Sequence, residues 1–156
     1  MISKLHTGDM ERFLSRQVVG RIGCLDGKKV YVIPVSYAFV NNCIYVHSLE
    51  GLKLKIMRTN PQVCFQVDDT ANLSNWKSVS CWGTFIEIED EKEKAIALEL
   101  LRSRVLPILK SELMNITEDW PFSSANDQPK GVLFKISISE MTGRFEHNGE
   151  EYFNAS

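Results

Sequence analysis

The segment from Val18 to Ser48, VVGRIGCLDGKKVYVIPVSYAFVNNCIYVHS, constrains the fold most. It is rich in Val, Ile and Tyr, side chains that suit a pleated, half-buried surface. Two turn signals divide it. Asp26-Gly27 marks a hairpin, because Gly takes positive φ cheaply and Asp tolerates it; Asn41-Asn42 marks a second turn. The pattern predicts three antiparallel strands, at roughly 18–25, 29–39 and 43–48. Strands joined by tight turns cannot be parallel, since a parallel pair needs a long crossover. A doubly wound parallel sheet is thereby excluded. Pro34 falls inside the second strand. Having no N–H to give the ladder, it requires an edge or a bulge there.

The remaining segments read as follows. Residues from Thr7 to about Arg16 form a short helix with Met10, Phe13 and Leu14 on its apolar face and Thr7 or Asp9 as cap. Gly51 to Pro61 forms a second helix, ended by Asn60-Pro61. QVCFQVDD alternates Val63, Phe65 and Val67 against Cys64, Gln66 and Asp68, a half-buried strand. TANLSNWK reads as a loop. Ser78 to Asp90 is a long strand with Gly83 in its middle, where a bulge or a close approach is expected. EKEKAIALELLRSRVLPILKSELMN is helical and kinked or divided at Pro107. A loop with Trp120-Pro121-Phe122 and SSANDQP follows. GVLFKISISEMTG returns to strand. Six or so short antiparallel strands with flanking helices favour a closed or partly closed barrel in a single domain, residues 1–156.

Composition narrows the function classes. The chain has 156 residues, 18 Lys+Arg against 20 Asp+Glu, and a net charge of −2. With no basic excess or block, nucleic acid is not an expected partner. No apolar run has the length of a membrane span or a signal peptide, so a cytoplasmic location is expected. Cys24, Cys43, Cys64 and Cys81 lie in strand-like runs without CxxC spacing and read as buried free thiols. The three histidines are far apart, so no metal site is expected.

Chemistry concentrates at His47-Ser48-Leu49-Glu50-Gly51-Leu52-Lys53. A strand ends, Ser and Gly follow, and a helix starts with Lys in its first turn. Helix starts offer free N–H donors and the positive end of the dipole. Ser48 adds a hydroxyl and Lys53 a charge, while Gly51 admits close approach, which together suit a phosphate. The spacing equally allows an ordinary helix start with a solvated lysine, and His47 reads equally as a backbone-bonded strand end. Ile33-Pro34-Val35-Ser36-Tyr37 is the second feature. A proline-interrupted edge leaves backbone groups free for a planar heteroaromatic ligand, or is simply an edge strand. The third is Trp82-Gly83. Trp82 faces away from Cys81 and Phe85 and either covers a ligand, lines an interface or closes the barrel. No catalytic residue is assigned. The acids Glu87, Glu89, Asp90, Glu91 and Glu93 read as solvated helix-start groups.

Taken in order, these motifs resemble the nitroimidazole-resistance branch of the pyridoxamine 5′-phosphate oxidase-like superfamily. The resemblance rests on Gly20-Arg21-Ile22-Gly23, Pro34-Val35-Ser36-Tyr37, Ile44-Tyr45-Val46-His47-Ser48 with Gly51 and Lys53, Asn60-Pro61-Gln62-Val63-Cys64-Phe65, Ser78-Val79-Ser80-Cys81-Trp82-Gly83, and Ile138 to Arg144. It implies a mainly β, antiparallel, Greek-key-like split β-barrel with noncovalent FMN in a homodimer cleft. By that analogy Ser48 and Lys53 hold the phosphate, with Gly51 in the junction and His47 beside it. The backbone from Ile33 to Ser36 meets the isoalloxazine edge, and Tyr37 counts with them among the cofactor-binding residues. Trp82 and Gly83 lie near the flavin, from either subunit, and Trp120 and Phe122 are lid candidates. The implied function is an FMN oxidoreductase taking electrons from a small donor to a small acceptor, nitroaromatics among them. A flavin- or haem-binding carrier or sensor is the alternative, and related barrels take a deazaflavin. The C-terminal arginine motif of pyridoxamine-phosphate oxidases is not found, so vitamin B6 oxidation is not expected.

Overall fold

A computed structural model of the chain describes residues 1–111 and 131–148. Trp120, Phe122 and the polar segment after them lie outside those residues. The elements are β1 (Ser3–Lys4), α1 (Thr7–Arg16), β2 (Val19–Asp26), β3 (Lys29–Ser36), β4 (Ala38–Val40), β5 (Cys43–Ser48), α2 (Leu52–Thr59), β6 (Gln62–Asn72), β7 (Asn75–Glu87), α3 (Glu91–Ser111) and β8 (Val132–His147). The strands form one antiparallel sheet in the order β3-β2-β6-β7-β8-β5-β4, with β1 pairing the far end of β8.

The turns follow the sequence. Asn41 and Asn42 both take positive φ, 49° and 60°, and join β4 to β5. The first hairpin sits one residue later than expected. Asp26 pairs Lys29, so the loop is Gly27-Lys28, with Gly27 at φ 60°.

Four expectations need correction. The strand expected over 29–39 is two strands, broken at Tyr37. TANLSNWK is not a loop, because β6 and β7 continue as a hairpin arm turning at Leu73-Ser74. Asn72 builds that turn: its side-chain oxygen accepts from the Ser74 N–H at 2.9 Å and the Asn75 amide at 3.1 Å. Neither Thr7 nor Asp9 caps α1. Its N-cap is His6, with no side-chain cap bond, and Asp9 instead pairs with Arg12. Finally, of the kink or division expected at Pro107, the division is absent, since α3 runs through it as one helix.

The break at Tyr37 closes the architecture. β3 and β4 are the two opposite edges of the sheet, yet one residue separates them in the chain. Such a sheet must curl until its edges almost meet, and β3 accordingly lies against β5. The ladder does not close, because β3 and β4 do not pair. The result is a split barrel, as expected.

Inward residues of every long strand fill the barrel, among them Ile22, Ile44, Val46, Phe65, Val67, Val79, Phe134 and Ile136, with α1 supplying Phe13 and Leu14. A smaller cluster of Ala38, Ile88, Ala97, Leu101 and Leu133 seats α3.

Tyr37 is buried completely. Its hydroxyl donates to the Leu14 carbonyl at 2.6 Å, and its ring meets Phe65 edge-on at 4.9 Å. Burial raises its pKa well above the usual phenol range. Tyr37→Phe orphans the Leu14 carbonyl and is expected to cost about 1–3 kcal/mol, read as a lower urea midpoint at unchanged slope.

Candidate functional site

β3 and β5 lie against each other at the barrel's split, and most of the residues singled out from the sequence belong to these two strands and the start of α2. Along β5, Ile44, Val46 and Ser48 point inward, while Tyr45 and His47 are half-buried on the other face. Ser48 is therefore a hydroxyl at a core position. It is 6% exposed and is the one buried polar side chain among the described residues. Its Oγ donates to the Leu49 carbonyl at 2.9 Å, which keeps it satisfied.

Four residues on from Ser48, α2 begins. Its N-cap, Gly51, has extended backbone and contributes no side-chain cap, so the first N–H groups of the helix point out without an intrahelical acceptor. Lys53 stands in that first turn, half-buried, with no ion-pair partner among the described residues. A partly desolvated cation, a buried hydroxyl and a helix N-terminus thus share one junction.

Two features that the sequence did not reveal frame this junction. Gly131, just before β8, has φ 110°, and a Cβ there would lie 2.6 Å from the Ser48 carbonyl oxygen and 3.1 Å from the His47 ring nitrogen Nε2. It is glycine because its φ is positive and the Ser48 backbone and His47 ring occupy the space. Arg58, at the other end of α2, holds Glu50 of the junction loop and Glu87 of β7 together. That pairing holds the Glu50 carboxyl below its ordinary range.

The β3 edge supplies backbone groups. The Tyr37 N–H donates to the Val18 carbonyl at 3.0 Å, and with the register this sets the phase of the β2–β3 ladder. Hydrogen-bonded pairs alternate, so Ile33 and Val35 bond β2, while Val32, Pro34 and Ser36 turn their backbone groups to the open edge. Pro34 is tolerated there because its missing N–H is absent from the free side. Side chains split the same way. Ile33 packs on the core, Val35 and Tyr37 are buried, and Pro34 and Ser36 are exposed. The Tyr37 ring belongs to the core and is not presented at the edge.

Trp82 and Gly83 are not brought to this junction within one chain. His47 pairs Leu133 and Trp82 pairs Glu140, seven residues further along β8, about 23 Å at the usual rise. Trp82 is 41% exposed on the outer face. Gly83 points inward at a β-bulge. The register slips between Trp82 and Gly83, leaving Ser139 as the extra residue, whose Oγ donates to the Trp82 carbonyl at 3.0 Å. A Cβ on Gly83 would lie 2.4 Å from the Ser137 carbonyl oxygen. Of the two uses of a mid-strand glycine, it serves the approach of another backbone.

Two clefts lie elsewhere. One of about 400 Å³ lies at the far end of the hairpin arm, between Asp69, Trp76, Lys77, Phe145 and His147. Another, of about 380 Å³, separates the Asp26-Gly27 turn from the outer face of α2 at Leu52, Lys55 and Thr59. The thiols are not poised for chemistry: burial pushes Cys81 up to about 12 and raises Cys24 and Cys64. Among the described residues no group of three His, Cys, Asp or Glu is placed to hold a metal. No helix among them is long and apolar enough to cross a membrane.

The model of one protein family, described as pyridoxamine 5′-phosphate oxidase, matches residues 7–145. The chain belongs to that family. An uncharacterised protein from Rhizobium meliloti (strain 1021) is 29% identical over 136 residues, covering 85% of this chain and 87% of its own. A solved structure described as an FAD-binding protein from Mesorhizobium loti superposes with a TM-score of 0.72 at 26% identity, covering 93% of this chain and 98% of that one. A Bacteroides thetaiotaomicron structure, provisionally assigned to 5-nitroimidazole antibiotic resistance, has a TM-score of 0.67 at 20% identity, with coverages of 93% and 87%.

Proposed function

We propose that this member of the family is a flavoprotein that holds FMN noncovalently and passes electrons from a small donor to a small acceptor, nitroaromatic compounds among them. The observation that carries the reading is the His47–Lys53 junction. A buried hydroxyl held only by the adjacent Leu49 carbonyl, a half-buried lysine without an ion-pair partner among the described residues and a helix start without a side-chain cap form one set of donors. A phosphate monoester supplies the missing charge and acceptors. The Ser48 hydroxyl turns from the Leu49 carbonyl to the phosphate, Lys53 adds a charge-assisted bond, and the first N–H groups of α2 complete the shell. His47 stands beside it. The open edge at Val32, Pro34 and Ser36 gives one N–H-poor row of carbonyls and amides to a flat ring's rim. Bound there, the flavin supplies the electron transfer, and the chain's residues orient it and limit solvent access.

The description of the Mesorhizobium relative favours FAD as a second reading of the same junction. FAD carries the same riboflavin phosphate, extended by an adenylate.

A second copy of the chain completes the site in this reading. Val19, Leu25, Val30 and Val32 are 40–66% exposed on the outer face of β2 and β3. The pairing register carries that face across the sheet from Val32 through Gly23 and Cys64 to Trp82. This apolar row, bordered by Arg21, Gln66 and Ser80, supports a subunit interface, and in this reading Trp82 of one copy borders the other's open edge. Val32→Asp is expected to convert a dimer to monomer in sedimentation and to weaken flavin retention with it. The four unpaired cysteines fit a reducing, cytoplasmic setting.

Turnover has its own test. The flavin-loaded protein is mixed anaerobically with NADH or NADPH, and acceptors including nitroimidazoles are then added. Bleaching by the nucleotide followed by acceptor-dependent recovery supports an oxidoreductase. Flavin that neither nucleotide reduces favours a carrier.

A further inference from the structure

The Arg58 guanidinium is shared by two carboxylates. Nη1 and Nη2 donate to Glu50 at 2.8 and 2.8 Å, while Nε and Nη2 donate to Glu87 at 3.0 and 2.9 Å. Glu50 lies on the loop between Ser48 and Gly51, and Glu87 ends β7. Side-chain exposures of 37% for Arg58, 60% for Glu50 and 34% for Glu87 leave the network in contact with solvent. Exposed ion pairs contribute little to fold stability. The same contacts matter more to the loop they hold. Residues 49–52 are exposed, and Glu50 ties them by side chain to the sheet. Left unpaired, its carboxylate would stand as a negative charge within two residues of the hydroxyl and helix start that receive an anion.

We propose that Arg58 is a positioning residue for the anion cradle: it clamps the Glu50 loop to the end of β7 and neutralises the carboxylate nearest the phosphate. The inference rests on the reading of the His47–Lys53 junction as a flavin-phosphate site. Arg58 touches neither Ser48 nor Lys53 and acts through Glu50. The planar guanidinium is required, because one group must present parallel N–H pairs to two carboxylates at once, which an ammonium does not do.

The test compares FMN with riboflavin, which has the same ring and no phosphate, by fluorescence titration of the full chain. Arg58→Met should weaken FMN about tenfold, as expected for losing a charge partner at a binding-site rim, and riboflavin by less than about twofold. Arg58→Lys should fall between wild type and Arg58→Met, and it keeps the test usable if the methionine variant does not fold. Glu50→Gln combined with Arg58→Met removes the exposed charge together with its partner and should recover FMN affinity relative to Arg58→Met alone. A purely structural role would move both ligands alike. Equal losses for FMN and riboflavin, or FMN affinity unchanged in both Arg58 variants, overturn the inference. A double variant no better than Arg58→Met overturns the neutralising part of it. If wild type binds neither flavin, the cofactor reading itself has failed, which is distinguishable because the failure appears before any substitution is made.

Discussion

Gly83→Ala is expected to destabilise the protein by about 3 kcal/mol, lowering the melting temperature by roughly 6–12 °C for a chain of this size. The new Cβ would lie 2.4 Å from the Ser137 carbonyl oxygen and 2.9 Å from the Ile136 side chain. The first neighbour is backbone at the centre of the β7–β8 ladder and cannot swing aside. Relief requires pushing β8 away from β7 beside the bulge that leaves Ser139 unpaired, with loss of ladder bonds on both sides. Inverse effects on stability and binding separate the two readings of this glycine. If Gly83 serves packing, the alanine variant loses stability and, where still folded, keeps its flavin affinity. Unchanged melting with lost flavin would mean that Gly83 serves a ligand instead.

Ser48→Ala combined with Lys53→Ala is expected to raise the Kd for FMN by roughly 100- to 1000-fold. Hydrogen bonds to a charged group are each worth about 1.5–3 kcal/mol, and each 1.4 kcal/mol is tenfold in affinity. Riboflavin should be nearly indifferent to the pair. The two contacts share one phosphate, so the single variants need not add. Lys53 is half-buried at the surface end of α2, and its loss leaves no buried orphan. Ser48→Ala removes a hydroxyl whose present partner is the adjacent Leu49 carbonyl. The melting temperature should therefore shift little, which separates loss of the ligand from loss of the fold. Raised salt should weaken FMN in wild type more than in the double variant, since screening acts on the charge that the variant lacks.

The fold was legible wherever a local pattern determined it. Asn41-Asn42 announced a turn because two residues with positive φ in succession suit few others, and both adopt it. Pro34 announced an edge, and β3 is one. The alternation in Val63, Phe65 and Val67 announced one buried face, and all three are buried. Legibility failed where the physics is not local. From Thr70 to Asn75 the hairpin arm runs beyond the barrel core, so most of its residues meet solvent, alternation vanishes and the segment reads as a loop. The break at Tyr37 depends on which edge the chain joins next, and no neighbouring residue states that.

The site divides along the same line. His47 to Lys53 form a contiguous stretch, so strand end, hydroxyl and helix start could be read together. Arg58 was missed because one of its partners, Glu87, lies 29 residues away in sequence. Gly131 was missed because what it avoids, the Ser48 backbone and the His47 ring, comes beside it only in the folded sheet. Tyr37 shares the motif with Pro34 and Ser36, but strand parity turns its ring into the core. Trp82 is adjacent to Gly83 in sequence, yet strand alternation turns them to opposite faces, Trp82 outward and Gly83 against β8.

The central claim is that the junction at Ser48 and Lys53 holds a flavin by its phosphate. The most direct measurement is a titration of the purified, flavin-stripped full chain with FMN, read as the change in flavin fluorescence, with riboflavin as the reference. The account predicts saturable binding of one FMN per subunit and much weaker binding of riboflavin. Protein that takes up neither FMN nor FAD, or that binds riboflavin as tightly as FMN, would contradict it.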